Sequence, residues 1–530
     1  MGWGVVETPG QPFAPGTVLL EDKKIPDEIT VGDDGLKRKQ GVILQPQPGD
    51  DPNDPLMWST AWKFAHLFVI VFGSSAANAI TTMVVPGIAP LVDKFGATQG
   101  SISSLILNAP TFFTSLAAFF VVSGAEIFGR RPFYVISTAV MAAANLGSFL
   151  ATTYSVLVVS RAIAGIFSAA TFTLVTATIA DIFYVHQRGS AVASWNVGLT
   201  VGGQLGQIIG GVVTDKLGIS AVFGLAAVVF AALFFPTYFL VLESAYFKRG
   251  DDIGSRQQEK KSKDSVEVEY AKNLPARKVP YLKQLGLFRG KMTDKTFWMG
   301  SLKPLFFLSS PIILYSALLN SLVLVLSAGV TNLIVIILSD APYNLQPTDI
   351  GLTGLPILVV SLIGGPLIGW LSDWSVRFMA RSNGSNPGVA EPEFRLVLLI
   401  IALPMTAAGL VGLGIAIQQG QPLLWLLTWL SLISFGSCIG VQVSVGYMID
   451  YLPSHSAQAF TIVNMIASLV VFAGTTPLID WLQASGPVVV FSSLAGVTMA
   501  NLIFSFPLYV YGKRIRTWYG STRLSRWVLN

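Results

Sequence analysis

Residues 123–132 read SGAEIFGRRP, and residues 369–377 read GWLSDWSVR. In the first stretch Glu126 is followed four residues later by Arg130, and in the second an aspartate and an arginine stand at the same spacing. Each stretch comes directly after an apolar run long enough to cross a bilayer. A motif repeated at matching places in two halves of a chain predicts two copies of one membrane-embedded helical unit.

The composition excludes a soluble globular protein. Of the 530 residues 52% are apolar and only 12% are charged, and the mean hydropathy is +0.62. Twelve spans of about 20 residues each would account for most of the apolar residues. The sequence pI of about 9.1 has its source in the positive charge that membrane proteins keep on cytoplasmic loops, so we expect membrane lipid and no nucleic acid as a partner.

The residues that build catalytic or metal centres are scarce. The chain has a single cysteine, Cys438, which excludes an intramolecular disulfide and a cysteine-built zinc or iron–sulfur site. Its three histidines, His66, His186 and His455, are scattered. A membrane enzyme needs clustered nucleophile, acid–base or metal residues, and no span contains a histidine-rich or paired-carboxylate cluster. The sequence predicts neither an enzyme nor a bound cofactor or metal.

Apolar runs divide the chain into two groups of six. They lie at 64–90, 102–123, 132–151, 155–181, 190–213 and 219–242, and then at 308–338, 351–371, 396–417, 423–448, 460–480 and 487–511. The sequence therefore predicts an all-α membrane protein with a disordered cytoplasmic tail over 1–61, a six-helix bundle over 62–242, a cytoplasmic linker over 243–301, a second six-helix bundle over 302–511 and a cytoplasmic tail over 512–530. Because 301–338 is too long for one upright helix, its start around Pro304 is expected to lie along the membrane surface.

Charge predicts the orientation of the chain. With the amino terminus in the cytoplasm, 31 of the 34 lysines and arginines fall on cytoplasmic segments. The three exceptions are Lys94, Lys216 and Arg161, and the last of these lies inside the fourth span. The positive-inside rule therefore places both termini and the linker in the cytoplasm.

Acids at helix ends recur in both halves. The pair Asp373 and Arg377 repeats the first-half spacing, and the fourth and tenth spans end at Asp181 and Asp450. An acid and an arginine four residues apart share a helical face, where they neutralise each other, and such pairs also serve as simple interfacial anchors. Their recurrence indicates a latch on the inner face, formed when the halves close that side and broken when they part.

The chain resembles the major facilitator superfamily and, within it, the twelve-span drug–proton antiporter family as found in fungi, over residues 62–511. SGAEIFGRRP is similar to the signature between spans two and three, although Glu stands for the usual Asp, Val122 occupies the place of the first glycine, and the second-half copy has Val376 for its inner glycine. The resemblance assigns the signature roles and the role of partner acid to Glu126, Gly129, Arg130, Arg131 and Asp181. It implies the major facilitator fold, a monomer, and a plasma-membrane or vacuolar location.

Two further motifs carry the likeness. RAIAGIFSAA, which begins at Arg161, is similar to the fourth-span motif of the family. An arginine inside a span costs about 2.5 kcal/mol or more unless it meets water or a partner, or extends to the interface. In the fifth span Gly198, Gly202, Gly206 and Gly210 stand at four-residue spacing, which suits close helix packing. The stretch is also similar to a motif of the family associated with export, in which Gly202, Gly206, Gly210 and Gly211 match and Gln207 replaces the proline.

Polar residues inside the spans are expected to face a cavity, although each alone is as readily a helix–helix hydrogen bond. With Phe172 as a further apolar wall, the predicted pathway residues are Arg161, Asn78, Asn108, Thr171, Trp195, Asn196, Gln204, Asn320, Gln442 and Asn464. The set describes an amphipathic cavity with one cation, which suits a partly apolar organic molecule, neutral or anionic. A polycation would require buried carboxylates, and none stands in the middle of a span.

The resemblance implies a secondary transporter that exchanges protons for an exported drug, toxin or secondary metabolite. The residues leave the coupling open, because the acids stand at helix ends. Asp181 or Glu126 carries the proton, or the proton displaces Arg161 indirectly, or transport is passive. Uptake of a nutrient, by a permease or facilitator, and a transporter-like nutrient sensor are the alternative functions.

Overall fold

We analysed a computed structural model of the chain. It describes residues 18–19, 38–39, 42–43, 53–245, 279–288, 290–293, 297–381, 389–452 and 455–522. The tail predicted over 1–61 and the linker predicted over 243–301 fall largely outside these residues. The tail predicted over 512–530 is described as far as residue 522, and most of this described part continues the last helix, Pro487–Ser521, rather than forming a separate tail. Two short antiparallel pairings, Val18–Leu19 with Val389–Ala390 and Arg38–Lys39 with Val42–Ile43, are the strands of the described part of the chain.

The described part of the chain is otherwise helical and contains twelve helices long and apolar enough to cross a bilayer. These spans, numbered 1 to 12, are Thr60–Phe95, Gln99–Phe128, Arg131–Phe149, Tyr154–Ile182, Ser190–Leu217, Ile219–Leu240, Pro311–Ser339, Pro347–Arg381, Pro392–Gln418, Leu423–Tyr451, Gln458–Ser485 and Pro487–Ser521. The helices of spans 5 and 11 extend slightly further, over Val185–Leu217 and Ser456–Ser485. The predicted fold of two six-helix bundles is confirmed.

The sequence marks many of the helix ends. Prolines open spans 7, 8, 9 and 12, where a missing N–H and a fixed φ suit the first helical turn. At Gly129, between spans 2 and 3, φ is +86°, a value that favours glycine and turns the chain sharply. Because the number of spans is even, span 1 begins and span 12 ends on the same side. We call this side the loop end, where span 1 begins and span 12 ends, and the opposite side the far end.

The fifth-span glycines pack span 5 against span 1. A Cβ built on Gly206 would come within 2.6 Å of Ala79 Cα, and one on Gly210 within 2.5 Å of Met83 Cα. Gly198 and Gly202 likewise face Ser75 on span 1. Glycine at every fourth position thus lets two helix backbones touch, which larger residues would prevent.

Gly211 faces a different neighbour from the rest of the motif. Its missing side chain leaves room for the carbonyl oxygen of Pro347 and for Gly351 Cα, which would lie 3.0 Å from a Cβ. Both neighbours belong to span 8 in the second half of the molecule. The last glycine of the motif therefore lies at the contact between the two halves.

The end of the linker is packed on the first half. A separate helix, Phe297–Phe306, precedes span 7. It contains Pro304, around which the sequence predicts a segment along the membrane surface rather than an upright helix. Phe297 and Trp298 pack against Phe120 of span 2, with ring centroids 6.3 Å apart in each case. Just before it, the Met292 N–H donates to the carbonyl oxygen of Ile127 at the end of span 2. The end of the predicted linker therefore packs against the first six-helix bundle, beyond the boundary at residue 242 that the sequence predicts for that bundle.

Two spans contain a π-helical turn. Residues Ser103–Asn108 of span 2 and Val325–Gly329 of span 7 adopt this wider form, and the α-helix continues after each. Such turns displace the backbone hydrogen-bond ladder and redirect carbonyl groups and side chains. In span 2 the turn lies next to Arg161.

Candidate transport cavity

A cavity of about 240 Å³ lies between the two halves. Spans 1 to 5 supply most of its wall, and spans 7 and 11 supply the remainder. Its apolar surface comes from side chains such as Phe172, Trp195, Leu199, Leu324 and Phe460. Small hydroxyl-bearing residues, three asparagines and Arg161 form the polar part. The cavity is therefore amphipathic and shared between the halves.

Among the described residues of the cavity wall, Arg161 is the one ionisable side chain. It is only 1% exposed, so it does not extend to the far-end surface. Its Nε–H donates to the carbonyl oxygen of Ile106, 3.2 Å away, and its guanidinium lies 5.8 Å from the centre of the Phe223 ring. Ile106 belongs to the π-helical turn of span 2, which presents its carbonyl group to span 4.

Small residues after Arg161 let span 4 approach span 2 closely. A Cβ on Gly165 would come within 2.5 Å of the Pro110 carbonyl oxygen, so glycine is needed for span 4 to lie against span 2 there. One turn along, the hydroxyls of Ser168 and Thr114 hydrogen bond at 2.6 Å. The RAIAGIFSAA stretch thus sets the position of its own arginine through close contact with span 2.

The predicted pathway residues separate into two groups. The structure places Arg161, Asn78, Trp195, Asn464 and Phe172 in the cavity wall. The remaining predicted residues lie outside that wall, and they are Asn108, Thr171, Asn196, Gln204, Asn320 and Gln442. Sequence alone could not separate the groups, because a polar residue on a helix can equally face a neighbouring helix.

Each residue outside the wall has a distinct environment. Asn108 donates through Nδ2 to Thr475 Oγ1 across the contact between the halves, at 2.8 Å. Asn320 is buried behind the wall and donates to Asn464 Oδ1 at 3.2 Å. Thr171 is buried, and its hydroxyl donates to the Ser168 carbonyl. The side chains of Asn196 and Gln442 are exposed, and Gln204 lies beside Gly354.

The sequence reasoning missed several polar wall residues. Asn145 of span 3 is fully buried and lines the cavity, and its Nδ2 donates to the Met141 carbonyl at 2.7 Å. Ser115 and Ser468 line it from opposite halves, and their hydroxyls hydrogen bond at 2.8 Å. Asn145 was recognisable as a polar residue in the middle of an apolar span. The serine pair carried no such signal, since serine is common in membrane helices.

Hydrogen bonds join the two halves at the far end. The hydroxyls of Ser104 on span 2 and Thr476 on span 11 are 2.5 Å apart, and Thr348 donates to Asp215 Oδ2 at 2.8 Å. The Gly211 contact with span 8 joins the halves as well. The far end is closed in this structure.

An ion pair and a helix cap organise the loop end of the first half. Arg130 lies 2.7 Å from Asp181, the acid at the end of span 4. Glu243, just after span 6, accepts hydrogen bonds from the backbone N–H groups of Arg130 and Arg131 at 2.9 and 3.2 Å. A carboxylate at this helix start offsets the exposed N–H groups and the positive end of the helix dipole. Gly129 leaves the space that Glu243 occupies.

Arg131 and Glu126 have other surroundings. The Arg131 guanidinium is buried and donates to the carbonyl groups at the end of span 6, including that of Tyr238 at 2.8 Å. It thereby ties the start of span 3 to the end of span 6. The carbonyl oxygen of Glu126 accepts from the Thr293 hydroxyl of the linker at 3.1 Å.

In the second half, Arg395 takes the place that the sequence assigned to Arg377. Arg395 Nε donates to Asp450 at 2.6 Å, and its Nη1 lies 3.6 Å from Asp373. Arg377 is exposed, and no described acid pairs with it. The expected pairing of Asp373 with Arg377 is therefore replaced by a contact from span 9. The reason is geometric, because Arg395 reaches both acids from a neighbouring helix.

A second charge cluster in this half went unrecognised. Lys513 and Arg516 of span 12 pair with Glu391 and Glu393 at the start of span 9, at 2.7 to 2.8 Å, and all four side chains are buried. Paired charges of equal number can remain buried where a single charge could not. The cluster fixes span 12 to span 9, as Arg131 fixes span 3 to span 6.

Comparison with known proteins identifies the family that has this architecture. A family model described as Major Facilitator Superfamily matches residues 67–475. Among curated proteins, the chain is similar to Protein HOL1 of Saccharomyces cerevisiae, 24% identical with 98% of this chain and 97% of that protein covered. It is also similar to the trichosetin biosynthesis cluster MFS transporter of Gibberella fujikuroi, 24% identical over 90% of this chain and 91% of that one.

The solved structures agree on the fold. The crystal structure of a D-xylose-proton symporter aligns with a TM-score of 0.61 at 14% identity, covering 86% of this chain and 99% of that one. The relatives are transporters rather than enzymes. The chain belongs to the Major Facilitator Superfamily.

Proposed function

We propose that the chain is a secondary active transporter that exports a small amphipathic organic compound in exchange for protons. The observation that carries the proposal is the amphipathic cavity shared between the halves, with Arg161 in its wall and its far end closed. Rocking of two bundles about such a cavity exposes it to each side of the membrane in turn. The similarity to the trichosetin biosynthesis cluster MFS transporter supports a secondary metabolite as cargo.

The proposed orientation puts the loop end in the cytoplasm, as the distribution of lysine and arginine predicts. The structure closed at the far end is then the form that receives cargo from the cytoplasm. The plasma membrane fits an exporter best, and the vacuolar membrane is the alternative. The proposed working unit is a monomer, because each chain holds a complete cavity.

Among the acids that the sequence puts forward as proton carriers, we favour Asp181. Its carboxylate contacts Arg130 at 2.7 Å while both side chains remain partly accessible, 21% and 17% exposed. Protonation removes the charge that holds this pair, which frees the end of span 4. The same logic applies to Asp450 with Arg395 in the second half.

Transport into inside-out vesicles tests the proposal. We expect neutral or anionic aromatic compounds from a metabolite panel to accumulate when the vesicle lumen is made acidic. Accumulation should fall about tenfold or more when the gradient is collapsed, because the proton gradient supplies the driving force. The same fall is expected for Arg161→Ala, whereas Lys94→Ala, which removes an exposed cation outside the cavity, should leave accumulation unchanged.

Three results would overturn the proposal. Flux that is unaffected by the gradient would indicate a facilitator. Accumulation that occurs only in right-side-out vesicles with an acidic exterior would indicate uptake. A chain that binds a nutrient but moves none would be a sensor.

A further inference from the structure

The charge of the cavity points to its cargo. Among the described residues that line it, Arg161 is the sole charged side chain, and the others are neutral at every physiological pH. We infer that the exported compound carries an anionic group, a carboxylate or a similarly delocalised acid, which binds Arg161 inside the cavity. The inference rests on the proposed function and adds the substrate class to it.

Arg161 has donor capacity that the protein leaves unused. Its Nε–H is directed to the Ile106 carbonyl, and its guanidinium lies beside the Phe223 ring. Within the described part of the chain, no carboxylate forms an ion pair with it. A guanidinium carries five N–H groups in a planar fork that matches the two oxygens of a carboxylate. An anionic ligand group would therefore complete the hydrogen bonding of this buried cation.

The neighbouring hydroxyls do not compete for this role. Thr114 directs its hydroxyl toward the Pro110 and Gly165 carbonyls, and Thr81 donates to the Ala77 carbonyl. These hydroxyls present mainly lone pairs to the cavity, because their hydrogens are already used. Arg161 is therefore the strongest donor available to a ligand in the wall.

The buried position strengthens this preference. A charge removed from water without a counter-ion is unfavourable, so the cavity favours the binding of an anion. A cationic ligand would meet repulsion without a carboxylate to offset it. The apolar side chains of Phe172, Trp195 and Phe460 suit an aromatic or aliphatic body attached to the acid.

Matched acid and amide ligands test this inference without any transport measurement. The purified protein in detergent would be titrated with naphthaleneacetate, phenylbutyrate and decanoate, each beside its uncharged primary amide of nearly equal size. Binding would be measured by thermal stabilisation and by equilibrium dialysis. We expect the best acid to bind about tenfold or more tightly than its amide. Arg161→Gln should abolish the preference, and Arg161→Lys should retain a reduced one, because the charge remains while the fork is lost.

The outcomes separate this inference from the proposed function. If no acid binds better than its amide, or if Arg161→Gln keeps the preference, the anion site is wrong even where export is observed. A clear preference in a chain that transports inward would support the anion site and contradict export. Should Arg161→Gln fail to fold, the acid–amide comparison in the unmodified protein and in Arg161→Lys still decides the matter.

Discussion

A disulfide between residues 104 and 476 will stop transport, and its reduction will restore it. The Ser104 and Thr476 hydroxyls are 2.5 Å apart on spans 2 and 11, so cysteines at these positions are placed to join the halves at the far end. Export requires this end to open in every cycle, and a covalent bond forbids that step. We expect a fall of about a hundredfold or more in flux in the Ser104→Cys/Thr476→Cys variant after oxidation.

The matched control places a cysteine pair within one half. Thr98 and Ser101 have hydroxyls 2.9 Å apart at the same end of the molecule, but both belong to the first half. Oxidation of Thr98→Cys/Ser101→Cys should leave flux unchanged, as should oxidation of either single cysteine of the first pair. Each variant would carry Cys438→Ser to remove the native thiol. Unaltered flux through a fully cross-linked 104–476 pair would show that the far end does not open.

Replacing Gly210 with leucine will prevent folding of the first bundle. A Cβ at this position would come within 2.5 Å of Met83 Cα, and the obstacle is backbone rather than a movable side chain. Spans 1 and 5 would have to separate along their contact, at a cost of about 3 kcal/mol or more. We expect almost no monodisperse protein by size-exclusion chromatography after expression.

The control is the same substitution on an open face. Gly496→Leu places leucine on span 12 where no atom lies within 4 Å of a Cβ. This variant should express and elute like the unmodified protein, since leucine is also the better helix former. Gly210→Leu protein that behaves equally well would show that the fifth-span glycines do not pack against span 1.

Much of the fold followed from the sequence because the bilayer imposes simple rules. Apolar length and the acid–arginine spacing at 126–130 and 373–377 gave twelve spans in two groups, as the structure has them. A bilayer also favours small residues wherever two helices touch, so the glycines of span 5 could be recognised as a contact face. The sequence could not identify span 1 as the helix that packs on this face, because spacing along one helix does not identify its neighbour.

The site was less predictable because side-chain partners depend on distant segments. Arg161 stood out since a charge inside a span is expensive. Glu243 did not, because its role arises from the approach of the end of span 6 to the start of span 3. Arg395 likewise reaches Asp450 from a different helix, at a separation of 55 residues. Asn108 was predicted to line the transport pathway, whereas its side chain hydrogen bonds across the contact between the halves.

Distance measurements between spin labels at both ends test alternating access most directly. One pair, Gln99→Cys with Gln483→Cys, reports the far end, and another, Ser190→Cys with Ile449→Cys, reports the loop end, each in a Cys438→Ser background. We predict two populations in lipid: one with a short far-end distance, as in this structure, and one in which that distance lengthens while the loop-end distance shortens. A single fixed distance at both ends, unchanged by pH or by bound ligand, would contradict transport by rocking of the two bundles.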